Sequence, residues 1–197
     1  MHRPPVLLLL TLAAACATST APTRQSAPQS QTPWDRFTLD AVALPVVWLQ
    51  ADQEHPATPG RRIDDQIGPG AGLRAAFGNG EQSVGLLYLG SLLEDDSDQG
   101  AELHMLYLDF DVSLPLPDGP PGLALRAAAG IGAASLGFDD VLLDDVTTGA
   151  ANLRIDFEYA MSSRAALLLG IGGFYLGYPG DTEGYGSFVE LGGRLSF

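Results

Sequence analysis

Residues 152–159 read NLRIDFEY, and this stretch is the clearest indication of the fold in the sequence. Its apolar residues alternate with its polar ones without interruption, Leu153, Ile155, Phe157 and Tyr159 against Asn152, Arg154, Asp156 and Glu158. Side chains two positions apart share one face of a β-strand, whereas a helix brings together residues three and four apart. The stretch is therefore predicted to be a strand with one apolar face and one charged face.

The same period recurs along the chain from Phe37 to the C-terminus. Residues 106–113 repeat it, with Leu106, Leu108, Phe110 and Val112 against Tyr107, Asp109, Asp111 and Ser113. Apolar runs separated by Gly, Pro and Asp clusters indicate strands joined by turns. The eight predicted runs are 37–52, 68–78, 82–93, 101–114, 122–138, 146–160, 164–178 and 184–197. We expect an all-β, eight-stranded antiparallel up-and-down barrel that occupies residues 34–197.

The composition limits the possible functions. The 24 glycines and 14 prolines, with 8% aromatic residues, favour many turns over a large helical core. All ten basic residues are arginines and the formal net charge is −14, so nucleic acid is not an expected partner. The clustered carboxylates are expected to lie in solvated loops.

The N-terminus has the layout of a targeting segment. Residues 1–15 hold Arg3, an apolar run from Val6 to Leu12 and three alanines, which is the order of regions in a secretory signal peptide. Residues 16–33 are rich in Ala, Thr, Ser, Pro and Gln and are predicted to form a flexible linker. Ordinary cleavage near Ala15 or Ala21, with Cys16 incidental, is the alternative.

The residues before Cys16 resemble the lipobox of bacterial lipoproteins. That resemblance implies that the Cys16 thiol is acylated, as by palmitate, and becomes a lipid-anchored mature N-terminus. A lone cysteine forms no internal disulfide, which agrees with this use.

Alternation alone fits both a soluble barrel and a transmembrane barrel, in which the apolar face meets lipid and the interior is polar. The length of the runs, near or above the ~9–11 residues that cross a bilayer, favours the membrane. So does their even number. The charges on the predicted inner face also have both signs, as a mutually neutralising interior network would need. The predicted network is Asp40, Arg74, Asp109, Asp111, Arg126, Arg154, Asp156, Glu158, Glu190 and Arg194.

The connections alternate between short and long. Residues 78–81 and 161–163 are tight turns, and 115–121 is a longer proline-rich one. The acidic connections 53–67, 94–100, 139–145 and 179–183 are candidate surface loops. Short periplasmic turns are usual in bacterial barrels, so the N-terminus is expected in the periplasm.

The chain resembles small outer-membrane β-barrels of the OmpA and OmpX type, with alternating apolar residues leading to the terminal Phe197. The resemblance implies a bacterial outer-membrane location, lipid as a partner and recognition of Phe197 as an assembly signal by the barrel-assembly machinery. An eight-stranded barrel is wide enough only for side chains, so no open pore is expected. The expected role is structural or surface interaction, with an unidentified extracellular ligand.

Catalytic and metal-binding signals are weak. His104 is interpreted as a rim residue, because Leu106 stands where the serine of a lipid A deacylase motif would be. The Gly-rich segments 130–132 and 170–173 lie inside strand-like runs and lack the helix that a phosphate site needs. We predict no enzyme, no cofactor and no metal. Two alternatives stay open, a tethered soluble lipocalin-like barrel with an apolar ligand and, third, a lipid A-modifying enzyme.

Overall fold

The computed structural model describes residues 34–52, 63–94, 100–138, 146–177 and 183–197. Eight strands make up almost all of this part: β1 Arg36–Asp52, β2 Ile63–Gly78, β3 Gln82–Glu94, β4 Gly100–Pro115, β5 Leu123–Phe138, β6 Val146–Ala160, β7 Ala165–Gly177 and β8 Glu183–Ser196. No helix of the described residues is long and apolar enough to cross a bilayer. The predicted signal peptide, the linker and most residues of the candidate surface loops lie outside the described residues.

Each strand pairs antiparallel with its sequence neighbours, and β1 also pairs with β8, so the sheet closes into a barrel. The strands are tilted. Following the pairing around the barrel from Phe37 through β2 to β8 leads back to β1 at Trp48 rather than at Phe37. Such a stagger accompanies the tilt that closure of a barrel requires.

The prediction that β2 begins at Gly68 is wrong, since β2 begins at Ile63 and continues through Pro69. β1 has a bulge opposite this extended part of β2. The β1–β2 register shifts between Leu44 and Val47, around Pro45, so Pro45 need not donate a ladder hydrogen bond. After the bulge, the inward positions of β1 change from even to odd residue numbers.

The three described turns lie at one end of the barrel, which we call the base; the opposite end is the loop end. In the β2–β3 turn, Asn79 Oδ1 accepts hydrogen bonds from the backbone N–H of Glu81 and Gln82 at 3.0 and 2.8 Å. Gly80 has a φ of 91°, which a side chain would oppose. Because the strand number is even, Arg36 and Phe197 also lie at the base.

Candidate functional site

The inward-facing side chains form two layers. The ten charged residues predicted for the interior all belong to the layer nearer the base, which we call the ionic layer. Nine of them are buried to 9% exposure or less. Glu158, at the edge of this layer, has a side chain that is 18% exposed. Their positions follow from the period of two, which sends Arg154, Asp156 and Glu158 of β6 to one face.

Asp40 is the hub of the ionic layer. Arg194 donates to it through Nε (2.8 Å) and Nη2 (3.0 Å), and Arg126 donates through Nη1 (3.1 Å). Arg194 also donates to Glu158 at 2.6 Å. These bonds connect β1 to β5, β6 and β8 across the interior, so the charges fix strands that do not all pair with one another.

A second junction forms at Asp109, whose Oδ2 accepts from Arg74 Nε at 2.6 Å and from Arg154 Nη2 at 3.0 Å. Ser83 takes part as well: it accepts from Arg74 at 2.9 Å and donates to Asp111 at 3.0 Å. Charge-assisted hydrogen bonds of this kind are among the stronger ones in proteins. Removing one partner of such a buried pair typically costs about 3–5 kcal/mol, because the other charge stays buried.

The layer nearer the loop end is mainly apolar, which the sequence analysis did not predict, although Gln66, Ser91 and Thr148 are also buried there. Its residues are Val42, Leu44, Val47, Leu49, Leu87, Leu89, Leu93, Ala101, Leu103, Met105, Tyr107, Ala134, Leu136, Ala150, Phe174, Leu176 and Phe188. Val47, Leu49, Leu89, Leu103 and Tyr107 have 0% of their surface accessible, so not even a water molecule fits beside them. The expectation of a polar interior therefore holds only for the half nearer the base.

The outer face of the barrel is an apolar band. Exposed large apolar side chains are found on all eight strands, among them Leu73, Leu86, Leu108, Ile131, Ile155, Ile171 and Leu191. Aromatic residues border the band at the base: Phe37 packs against Phe77 and Phe197, with ring centroids 5.2 and 5.9 Å apart. Phe197 thus lies at the base beside β1, where its N–H also donates to the Phe37 carbonyl at 2.9 Å.

A second set of aromatic residues lies toward the loop end. The Trp48 ring meets Tyr185 edge-on at 5.6 Å, and the Tyr185 hydroxyl donates to Gln50. Tyr88 stacks on His104 and its hydroxyl is 2.8 Å from His104 Nδ1. Aromatic residues at both edges of an apolar outer band are typical of transmembrane barrels.

His104 lies on this outward surface, where its side chain is 48% exposed and Nε2 is 3.6 Å from Glu102. The structure therefore separates it from the interior charge network. Within the described residues, no three His, Cys, Asp or Glu side chains are grouped so that they could hold a metal ion. Cys16 is outside the described residues.

Comparison with known proteins supports the fold. No family model and no curated protein matches the chain. Neisserial surface protein A superposes with a TM-score of 0.62 at 13% identity, covering 82% of this chain and 97% of that one.

Two further solved structures give lower scores. The N-terminal β-barrel domain of Pseudomonas aeruginosa OprF has a TM-score of 0.44 at 14% identity, covering 80% of this chain and 97% of that one. Ail of Yersinia pestis has 0.46 at 10% identity, covering 81% and 98%. The predicted eight-stranded antiparallel barrel, of the kind found in small outer-membrane proteins, is confirmed.

Proposed function

We propose that this chain is a bacterial outer-membrane β-barrel lipoprotein with a structural or surface-interaction role. The observation that carries the proposal is the polarity of the barrel. Its outward face is an apolar band with aromatic residues at both edges, while the ten charged residues of the ionic layer face the interior. Lipid solvates apolar outward side chains favourably, and a closed sheet leaves no unpaired backbone groups in lipid.

The proposed orientation places the base in the periplasm. The base carries the three described turns and both ends of the barrel chain, and turns on the periplasmic side are usually the shorter ones. The 16–33 linker would then extend from the base, with an acylated Cys16 held in the inner leaflet of the same membrane. The acidic segments between β1 and β2, β3 and β4, β5 and β6, and β7 and β8 would face outward, where an extracellular ligand could bind.

The packing of the interior favours a filled barrel over an open pore or a barrel with a ligand-binding cavity. A lipocalin-like barrel would need Ile155, Phe157 and Tyr159 inside, but these side chains are 45–50% exposed on the outer face. The apolar inner layer is filled by its own side chains, with Leu103 and Tyr107 fully buried. This packing supports neither a lumenal apolar ligand nor an open pathway for solutes.

A non-enzymatic role fits the surroundings of His104. Within the described residues it is the one histidine, and its Nδ1 is engaged by the Tyr88 hydroxyl. A stacked Tyr–His pair at the edge of an apolar band is what an interfacial anchor requires, since such rings are apolar on their faces and polar at their tips. If His104→Ala changed the acylation of lipid A in cells, the enzymatic alternative would replace this interpretation.

The first test is gel mobility of the protein from isolated outer membranes, with and without boiling in SDS. A transmembrane barrel resists unfolding until heated, so we expect a heat-dependent mobility shift in the outer-membrane fraction. Release of the protein by mild detergent or salt, without any shift, would instead indicate a tethered soluble barrel and contradict the proposal.

Orientation is tested with two single-cysteine variants in a Cys16→Ser background that is otherwise free of cysteine. Ser97→Cys lies between β3 and β4, and Ser162→Cys lies in the β6–β7 turn at the base. An impermeant maleimide added to intact cells should label Ser97→Cys alone, and both after permeabilisation. Labelling of Ser162→Cys on intact cells would reverse the proposed orientation.

A further inference from the structure

The part of the ionic layer that is buried to 9% exposure or less has one negative charge more than it has positive charges. Its carboxyl groups are Asp40, Asp109, Asp111, Asp156 and Glu190, and its guanidinium groups are Arg74, Arg126, Arg154 and Arg194. Glu158, the sixth carboxylate, touches solvent at the edge of the layer and is paired with Arg194. A net charge sealed from water is costly, and buried groups usually avoid it by taking up a proton.

Asp156 and Glu190 lie in one cross-strand row, on either side of an inward-facing glycine. Asp156 pairs with Gly170, and Gly170 pairs with Glu190. A Cβ atom at Gly170 would be 2.1 Å from Asp156 Oδ1, so the Asp156 carboxyl group lies over the glycine. This position directs the Asp156 carboxyl group along the row toward Glu190.

These two carboxyl groups are also the least satisfied in the layer. Both oxygens of Asp156 and Oε1 of Glu190 have no donor in the structure. Arg126 Nε approaches Asp156 only to 3.4 Å, and Arg154 Nη1 reaches the other Glu190 oxygen at 3.4 Å. Both residues have 0% accessible surface, so no water molecule fits beside them. Three of the four oxygens of this pair therefore lack a close donor, and a proton held between two buried carboxyl groups supplies one.

We propose that Asp156 and Glu190 form a proton-binding site and share one proton in the folded barrel. The proton is bonded to one carboxyl oxygen and donated to the facing carboxylate, which makes the enclosed set of five carboxyl and four guanidinium groups neutral. The cationic groups in contact with the pair are Arg154 of β6, 3.4 Å from Glu190, and Arg126 of β5, 3.4 Å from Asp156. The other charged groups of the layer are Asp109 and Asp111 of β4, Asp40 of β1, Arg74 of β2, Glu158 of β6 and Arg194 of β8, and β7 contributes the inward-facing Gly170 and Leu168.

Infrared spectroscopy of the folded full chain tests this proposal directly, because a protonated carboxyl group has a C=O stretching band separate from that of a carboxylate. At neutral pH we expect one such band. Glu190→Gln should abolish it, and Asp156→Asn should do the same. Glu158→Gln is the control of identical chemistry outside the pair, and it should leave the band unchanged. A wild-type protein without the band, or a band that survives both variants, would overturn the proposal.

The pH dependence of unfolding gives a second readout. Unfolded carboxyl groups lose their protons above about pH 5, so across the neutral range the folded state would hold one proton more than the unfolded state. The folding equilibrium constant should therefore fall by up to tenfold per pH unit until the shared proton leaves. Glu190→Gln should remove this dependence and Glu158→Gln should keep it. If stability instead rose with the concentration of sodium but not with that of a large organic cation, the pair would bind a metal cation and the shared proton would be ruled out.

Discussion

Placing a charge at the centre of the outer band distinguishes a bilayer from water around the barrel. Ile155 is 49% exposed on the outer face of β6, four residues from Tyr159 at the base. In a transmembrane barrel Ile155→Arg should cost about 2–4 kcal/mol, as for arginine near the bilayer midplane. If this face met water, the same change should remain within about 0.5 kcal/mol.

Thr147→Arg is the matched control, since Thr147 lies on the same strand and the same face, nearer the loop end. The two positions are eight residues apart, and a strand rises about 3.4 Å per residue, which at a tilt of about 40° separates them by roughly 20 Å along the barrel axis. An apolar band about 25 Å tall and centred near Ile155 would end before Thr147. We therefore expect Thr147→Arg to cost about 0–1 kcal/mol.

The assay is equilibrium unfolding by urea of the barrel refolded into phospholipid vesicles, followed by tryptophan fluorescence and by the heat-dependent gel shift. The difference between the two variants is the informative quantity, because both introduce the same side chain on the same strand. Equal and small costs at the two positions would refute the membrane-spanning interpretation of the band.

Three further predictions concern Gly170, Phe197 and Cys16. Gly170→Ala should destabilise the barrel by about 1–3 kcal/mol through the clash with Asp156, while Gly173→Ala on the same strand, whose added Cβ would meet nothing nearer than 3.5 Å, should be close to neutral in urea unfolding. Deleting Phe197 should slow the appearance of the heat-modifiable form in pulse-chase experiments, whereas Phe197→Tyr should preserve it; an unchanged rate in the deletion would contradict a role in assembly. Cys16→Ser should abolish incorporation of radiolabelled palmitate, and incorporation that persists would reject acylation at this residue.

The closed barrel and the ionic layer could be predicted because charges mark one face of a strand unambiguously. In β6, Arg154 and Asp156 are separated by an apolar residue, so a period of two assigns both to the interior at once. Ser83 could not be found in this way. A serine is tolerated on either face, and its role between Arg74 and Asp111 depends on the β2–β3 and β3–β4 register, which only the pairing supplies.

The start of β2 and the apolar inner layer escaped prediction for different physical reasons. Gly68 and Pro69 have the composition of a turn, but β2 continues through them and pairs there with the bulged part of β1. In β3, apolar residues follow one another at Leu86 and Leu87. A run that is apolar at consecutive positions has no alternation from which an inner face could be assigned.

The same lack of alternation is an argument about the surroundings of the barrel. Along β3 and β4, four successive cross-strand pairs are apolar: Leu86 with Leu108 and Tyr88 with Leu106 face outward, and Leu87 with Tyr107 and Leu89 with Met105 face inward. A soluble antiparallel barrel needs one polar face toward water, and a transmembrane barrel with a polar lumen needs one polar face inward. Here neither face is polar at this height. The inner side is packed dry, so the outer side, where Leu86 and Leu108 are each 57% exposed, needs an apolar solvent of its own. In the proposed membrane location a lipid bilayer would supply that solvent, and the ionic layer below would provide the strand-to-strand specificity that apolar packing on both faces lacks.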